Sequence, residues 1–443
     1  MVDPARLEAH RRLLRTPPGK PPRDDDRATG LAHDLFSGVR KHVGTLDSVL
    51  GSFTKSSVGQ LEAEMREALR LGVFQLLFQS DTPAPLIVAS TVELAGKSRK
   101  RRGFLNAVLR RIVDASAHED ETPAAFRSRR HVRTAPGRVC AFDRDVLPDP
   151  VENIDRYLAV QYALRFEFVE ELRRELPLEV DDALFALNRP LPLPLRANRA
   201  RGTVEDAEQA IVAAGGKVLR RFGDVLETHI EGEVEAFPPL KSGLVSVQDV
   251  TAAEVAPFLG ARPGEAILDL CAGVGGKTVH LAELAERAGG AARITACDVQ
   301  AVRLARLTDN AKRLGLQGIT TKLLKLDGSD VPIGPFDRVL VDAPCSNSGV
   351  LMKRAEARHR LGAEDLKQLA ALQGKLLDRA AAVVRQGGTL VYSTCSLFAD
   401  ENRRVVGAFL GRRGAEFALE EERLRYPHRT GRDGGYMARL VRK

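Results

Sequence analysis

Cysteine is scarce in this chain: five in 443 residues, an odd number with no Cys-x-x-Cys spacing. That excludes a disulfide framework and a cysteine-rich zinc site, and no other metal-ligand spacing takes their place. No apolar run approaches the roughly 20 residues needed to span a bilayer. The opening MVDPARLEAHRRLLRTPPGKPPRDDD lacks the apolar core of a signal peptide, so the cytoplasm is the expected location. There is no internal repeat and no long low-complexity tract. Tryptophan is absent, from which nothing functional follows.

What is present is an ordinary globular composition, 44% hydrophobic and 28% charged, long enough for two or three domains. The net charge of +8 favours a polyanionic partner, because lysine and arginine neutralise phosphates whatever the base sequence. Residues 1–27 are rich in Pro, Arg and Asp and read as a flexible tail. From 28 to 135 the pattern is helical, with few strand signals. Leu61, Met65, Leu69, Val73 and Leu77 recur at four-residue spacing, as do Phe104, Val108 and Ile112. Residues 136–150 read as a linker within a Pro-, Ser- and Arg-rich stretch that starts near 114. Residues 151–240 read as a small α+β unit around LPLPLRANRA. From 241 to 443 short apolar runs alternate with helical patterns, which predicts βαβ units and a mostly parallel sheet.

Ligands of such sheets bind beyond the carboxyl ends of the strands. The first of these ends is AILDLCAGVGGKT, where Gly273, Gly275 and Gly276 open a helix. Asp298, in TACDVQ, lies where an acid would hold a ribose. Asp327 closes KLDG, and Asp342 and Cys345 follow the run FDRVLV. The glycine spacing is GxGG rather than GxGxxG, which favours S-adenosylmethionine over a dinucleotide. A phosphate-binding P-loop is excluded, because Lys277-Thr278 lacks the upstream glycine at the required offset. Two cysteines at strand ends, Cys345 in VDAPCSNSG and Cys395 in VYSTCSLF, compete for the part of nucleophile.

DLCAGVGGKT, ACDVQ, KLDG, VDAPCSNSGV and LVYSTCSLFADEN, in this order, resemble the motifs of the Sun/Fmu-type RNA cytosine-C5 methyltransferases. LGVFQLLF and RGFLNAVLRRI resemble a NusB-type RNA-binding domain, and LPLRANR resembles the family's small RRM-like subdomain. The resemblance implies a multidomain protein: an all-α NusB-like domain, an α+β RRM-like subdomain and a Rossmann-like methyltransferase domain. It also implies S-adenosylmethionine as cofactor and, as substrate, a cytosine of RNA, small-subunit (16S) ribosomal RNA first among the choices. Carbon 5 of cytosine is a poor nucleophile; a thiolate added at carbon 6 activates it, which is covalent catalysis. By resemblance Cys395 attacks, Cys345 assists product release and Asp342 holds the ring edge. Cys271, Ala272, Gly273, Gly275, Gly276 and Lys277 line the methionine end, Asp298 holds the ribose, Asp327 meets the adenine and Asp342 completes the pocket. The chain departs from the family at Gly273-Val274, where Ala-Pro is usual, and after Val350, where LMKRAEARHR lacks the usual proline.

Positive runs supply the expected RNA contacts: Lys97, Arg99, Lys100, Arg101, Arg102, Arg110 and Arg111 near one helix, and Lys353, Arg354 and Arg358 after the DAPC loop. A second run comprises Arg127, Arg129, Arg130 and Arg133. A monomer is expected. Two other readings compete: a tRNA methyltransferase of the same chemistry, and an RNA-binding assembly protein with a degenerate methyltransferase domain. Retention of both cysteine motifs argues against the second.

Overall fold

A computed structural model describes every residue except 1, 2, 18, 19, 21–29, 80, 327, 360 and 361. The chain divides into two compact units. One runs to Asn188 and includes residues 353–361; the other holds 189–352 and 362–443.

The first unit is built around the helix Ala63–Phe78, which is buried on nearly all sides. Met65, Leu69, Val73 and Leu77 form the predicted stripe, but the reverse face is buried too. Its polar residues are therefore matched internally. Arg70 grips Asp47 at 2.6 and 2.8 Å and Glu67 at 2.7 Å. Helices Leu31–Phe53, Ala84–Glu93 and Arg99–Asp114 surround it. On the last of these Leu105, Val108, Leu109 and Ile112 are buried, while Phe104 is 37% exposed.

Three expectations are corrected in this unit. The predicted tail contains a helix, Pro4–Arg15, capped by the Asp3 side chain. Its charged composition hid it: Arg6 is buried against the Gln75 amide at 3.0 Å, and His10 against the Glu64 carbonyl at 2.8 Å. The rest of the predicted tail lies largely outside the described residues. Next, the segment read as helical domain end and linker is a three-stranded antiparallel sheet. Its strands are β1 (Ser116–Asp120), β2 (His131–Ala135) and β3 (Arg138–Phe142), in the order β1-β3-β2. Val132, Val139, Cys140 and Phe142 are buried among arginines and threonines that masked the alternation, so Cys140 is a core residue whose thiol burial pushes up to about 12. Lastly, helices Ile154–Gln161, Phe166–Glu175 and Val180–Ala186, assigned to the small α+β unit, belong here. The Thr45 hydroxyl donates to the carbonyls of Val160 and Gln161 at 2.8 and 3.1 Å.

The second unit has two sheets. The small one comprises β4 (Leu193–Ala197), β5 (Lys217–Phe222), β6 (Val225–His229) and β7 (Val245–Val247), ordered β5-β6-β4-β7 and antiparallel throughout. Helix Val204–Ala213, started by a Thr203–Asp206 capping box, covers it. The large sheet contains β8 (Ala266–Asp269), β9 (Arg293–Asp298), β10 (Ile319–Leu323), β11 (Phe336–Asp342), β12 (Val384–Thr394), β13 (Phe417–Arg425) and β14 (Gly435–Arg442). Its order is β10-β9-β8-β11-β12-β14-β13, five parallel strands followed by an antiparallel pair. Both faces are dry. Val339 and Val341 with Leu390 and Tyr392 pack toward the helices Ala363–Val383 and Arg403–Arg413. Leu340 and Val391, one residue out of phase, pack toward Val255–Leu259 and Gly276–Arg287. The strand order reverses at β8, which opens a crevice at its carboxyl end.

The motif LPLRANR ties the small sheet to helices that flank the large one, Gly276–Arg287 and Ala301–Leu314. Arg196, fully buried on β4, pairs with Glu283 and donates to the Gln248 side chain at 2.5 Å. Asn198 donates to the carbonyls of Gly243 and Leu314 at 2.9 and 3.2 Å.

Candidate active site

The turn after β8 is a glycine construction for geometric reasons. Gly273 (φ +57°) and Gly275 (φ +89°) take left-handed backbone. A β-carbon on Gly275 would meet Leu307 Cγ at 2.4 Å, whereas one on Gly273 would find nothing within 4 Å. Helix Gly276–Arg287 begins there, with its first amides free of intrahelical partners. The Gly273 amide donates to Asp298 at 3.0 Å, and the Gln300 amide donates to the other Asp298 oxygen at 2.8 Å. Asp298 therefore sits at the end of β9, as expected, and also ties the glycine turn to that strand. Asp269, at the end of β8, accepts from the Thr278 hydroxyl at 2.7 Å. Burial pushes its carboxyl up to about 7, and its second oxygen has no hydrogen-bond partner. Open space over the turn, a helix start and an unmatched buried carboxylate oxygen fit a small ligand with cationic and hydroxyl groups. The predicted adenine contact, Asp327, lies outside the described residues.

The chemistry-bearing groups sit at the ends of the adjacent parallel strands β11 and β12, where Asp342 is in register with Ser393. Asp342 accepts from Ser393 Oγ at 2.8 Å and from Lys277 Nζ at 2.6 Å. Lys277, predicted to line the methionine end, is thus engaged with Asp342. Burial works against its charge, but the carboxylate more than offsets this and the ammonium is held above its usual range. Three residues past Asp342 and two past Ser393 the two cysteines converge: Cys345 Sγ lies 3.1 Å from Cys395 Sγ, both thiols free. The hydrogen bond to Cys395, then burial, push the Cys345 thiol well up. Cys395 shares a narrow cleft with Asp249, Lys277, Asp342, Ser393 and Tyr436. Cys271 and Cys297 stand apart from this pair. Burial raises both thiols, Cys297 to about 12.

A buried polar web fastens the two cysteine loops together. Glu401, fully buried, accepts from the Ser346 amide at 2.8 Å, the Gln373 amide at 3.0 Å and the Ser396 hydroxyl at 2.5 Å. Ser346, Ser348 and Ser396 hydroxyls bond one another at 3.0–3.2 Å. Asn347 spans both loops, donating to the Cys345 carbonyl at 3.1 Å and accepting from the Cys395 thiol at 3.2 Å. Sequence reasoning missed Asp269, Asn347, Ser393 and Glu401. Their signal was position alone: each lies within a motif quoted above.

The basic residues separate into three groups. Lys97, Arg99, Lys100, Arg102, Arg110 and Arg111 are exposed, and no acid pairs with them among the described residues; Arg101 instead bridges Glu62 and Glu64 at 2.6 and 2.8 Å. The second run is spent on ion pairs at the surface, with Arg129 and Arg130 exposed and Arg127 and Arg133 half-buried. Arg127, Arg129, Arg130 and Arg133 are each paired with Asp or Glu, among them Asp181, Asp145 and Glu121. After the DAPC loop, Lys353 and Arg354 are exposed, but Arg358 is not available to RNA. It is 2% exposed and donates to the carbonyls of Leu187, Tyr162 and Lys41, and burial lowers its pKa to about 9. A short helical turn, Ala355–His359, carries this arginine inward.

No helix among the described residues is long and apolar enough to cross a membrane, and no group of metal-binding side chains occurs among them. The NusB family model matches residues 11–114, and the model of the 16S rRNA methyltransferase RsmB/F matches 256–441. Ribosomal RNA small subunit methyltransferase B of Pseudomonas putida is 33% identical, over 94% of this chain and 91% of the relative. The protein of the same name from Erwinia tasmaniensis is 30% identical over the same shares. Among solved structures, that of PH0851 aligns over 99% of both chains with a TM-score of 0.74 at 24% identity. NSun6 from Pyrococcus horikoshii with SFG aligns over 62% of this chain and 97% of its own, with a TM-score of 0.56 at 19% identity. Full-length similarity to both curated relatives, carried by the fold and motifs described above, places this chain in the RsmB/F family of 16S rRNA methyltransferases.

Proposed function

We propose that this rRNA methyltransferase modifies carbon 5 of a cytosine in 16S RNA by covalent catalysis, acting in the cytoplasm as a monomer. The observation that carries the reading is the pair of free thiols 3.1 Å apart, beside the Lys277–Asp342 ion pair. The glycine turn, the start of helix Gly276–Arg287 and the carboxylates of Asp269 and Asp298 would hold S-adenosylmethionine, with Cys271 and Ala272 contributing backbone. When bound, that cofactor supplies an electrophilic methyl group.

Cys395 is the attacking residue: as thiolate it adds to carbon 6 and makes carbon 5 electron-rich. Negative charge then develops on the ring. The Lys277 ammonium and the Asp342 carboxylate, locked together and backed by Ser393, form a fixed polar edge at which the ring can be oriented and that charge offset. After transfer, the proton on carbon 5 must leave and the carbon–sulfur bond must break. Cys345 is the neighbouring group for this release. The hydrogen bond to Cys395 and burial keep its thiol protonated in the free enzyme, so it does not act as a second nucleophile. Once Cys395 is bonded to carbon 6 that hydrogen bond is gone, and the Cys345 thiolate can take the carbon-5 proton as the carbon–sulfur bond breaks and Cys395 leaves as thiolate. The exposed cations of helix Arg99–Asp114 are offered to phosphates. Base access requires an unpaired or flipped cytosine.

The test is methyl transfer from labelled S-adenosylmethionine to 16S RNA tritiated at cytosine carbon 5. Tritium release in step with methylation is expected; methylation without it would remove carbon 5 from the reading.

A further inference from the structure

We infer that Asn347 is a positioning residue for the Cys395 thiol, its amide oxygen fixing the direction of the sulfur. The inference rests on Cys395 as the attacking group.

Asn347 stands in left-handed backbone, φ +60° and ψ +22°, a conformation asparagine adopts more readily than most residues. This turn brings its side chain back across the loop. The two ends of the amide have different partners. Nδ2 lies 3.1 Å from the Cys345 carbonyl, which can only accept, so the NH2 end must face it. The oxygen is thereby directed at Cys395 Sγ, 3.2 Å away. Cys345 Sγ, at 3.1 Å, is the other close neighbour of that sulfur. The charged and titratable groups around it are Asp249, Lys277, Asp342 and Tyr436 in the shared cleft, with Glu401 beyond Cys345. A change at position 347 leaves all of these in place. The Asn347 side chain is half-buried rather than enclosed, so it can yield when a base arrives.

Glycine at 347 keeps the backbone unstrained, whereas alanine there would not. The experiment is steady-state methyl transfer by the full protein to 16S RNA, with the RNA adduct mapped by mass spectrometry. Asn347→Gly should lower kcat by about tenfold or more, because a sulfur freed from its orienting partner spends less time in line with carbon 6. KM for RNA and for S-adenosylmethionine should stay within about twofold, because Asn347 orients the sulfur and binds neither substrate. A merely structural loss would raise KM and lower the melting temperature as well, and an unchanged melting temperature secures the comparison. A kcat within about twofold of wild type in Asn347→Gly, or a loss confined to KM, overturns the inference. If the RNA adduct forms through Cys345, the nucleophile assignment fails and with it the role of Asn347 in attack.

Discussion

Replacing Glu283 by glutamine should destabilise the catalytic unit sharply and loosen the cofactor turn, although Glu283 touches neither thiol. Arg196 is fully buried and Glu283 is 1% exposed at the side chain. The guanidinium meets both carboxylate oxygens, one of them at 3.0 Å, and its Nε reaches Gln248. Gln248 in turn donates to the Gly276 carbonyl at 3.2 Å, at the first residue of the cofactor helix. Removing one partner strands a buried cation, which costs about 3–5 kcal/mol, whereas an exposed pair is worth about 1 kcal/mol or less. For a folded unit of this size that corresponds to a fall of about 6–20 °C in melting temperature. Calorimetry on the full protein, followed by denaturant titration, reads both quantities. The double change Arg196→Met with Glu283→Leu removes both charges and should recover most of the loss, because the penalty lies in the unmatched charge rather than in the missing attraction. S-adenosylmethionine affinity should drop in the single variant and return in the double. A single-variant cost below about 1 kcal/mol, or a double variant no better than the single, would refute the argument that this pair anchors β4 to the cofactor helix.

Four further outcomes are expected. Cys395→Ala should abolish methylation and form no covalent RNA adduct, while Cys345→Ala should accumulate an S-adenosylmethionine-dependent adduct on denaturing gels; the reverse pattern would exchange the two roles. Asp298→Ala removes the proposed ribose acceptor and the partner of the Gly273 and Gln300 amides, so calorimetry should show cofactor affinity at least about tenfold weaker. Neutralising Lys97, Lys100, Arg102 and Arg110 should flatten the salt dependence of RNA binding by up to about 0.7–0.9 in log–log slope per lost phosphate contact, whereas Arg358→Met should leave the slope unchanged. Asp269 has a folded pKa of about 7, above its unfolded value, so its contribution to stability is complete in acid and is lost as pH rises toward 7. The difference in melting temperature between wild type and Asp269→Asn should therefore change between about pH 4 and pH 7 and be level above that range.

The sequence by itself determined the parallel layer, the glycine turn, the acids at strand ends and the two cysteine loops. These are local signals: an apolar run ending in Asp or Pro-Cys has few other uses in a βαβ sheet. It also supplied the NusB-like helices, whose periodicity survives in Met65, Leu69, Val73 and Leu77. What it misread were segments whose polar residues are matched within the fold. Arg6, Arg127, Arg133 and Arg358 look like solvent or RNA contacts in a string of letters. They turn inward because carbonyls and carboxylates distant in sequence accept their hydrogen bonds. Strands β1–β3 went unseen for the same reason.

Tertiary structure alone decided which groups meet. Cys345 and Cys395 are 50 residues apart and touch because β11 and β12 lie in parallel register. Lys277 reaches Asp342 across 65 residues, which converts a presumed cofactor-loop cation into half of an ion pair. Glu401, Asn347 and Gln248 carry no motif meaning of their own, and their value lies in bonds to backbone and side chains brought near by the sheet. Periodicity and turn chemistry report a residue's own conformational preference. The pairing of buried polar groups is a property of two distant positions at once, and only the packed chain specifies it.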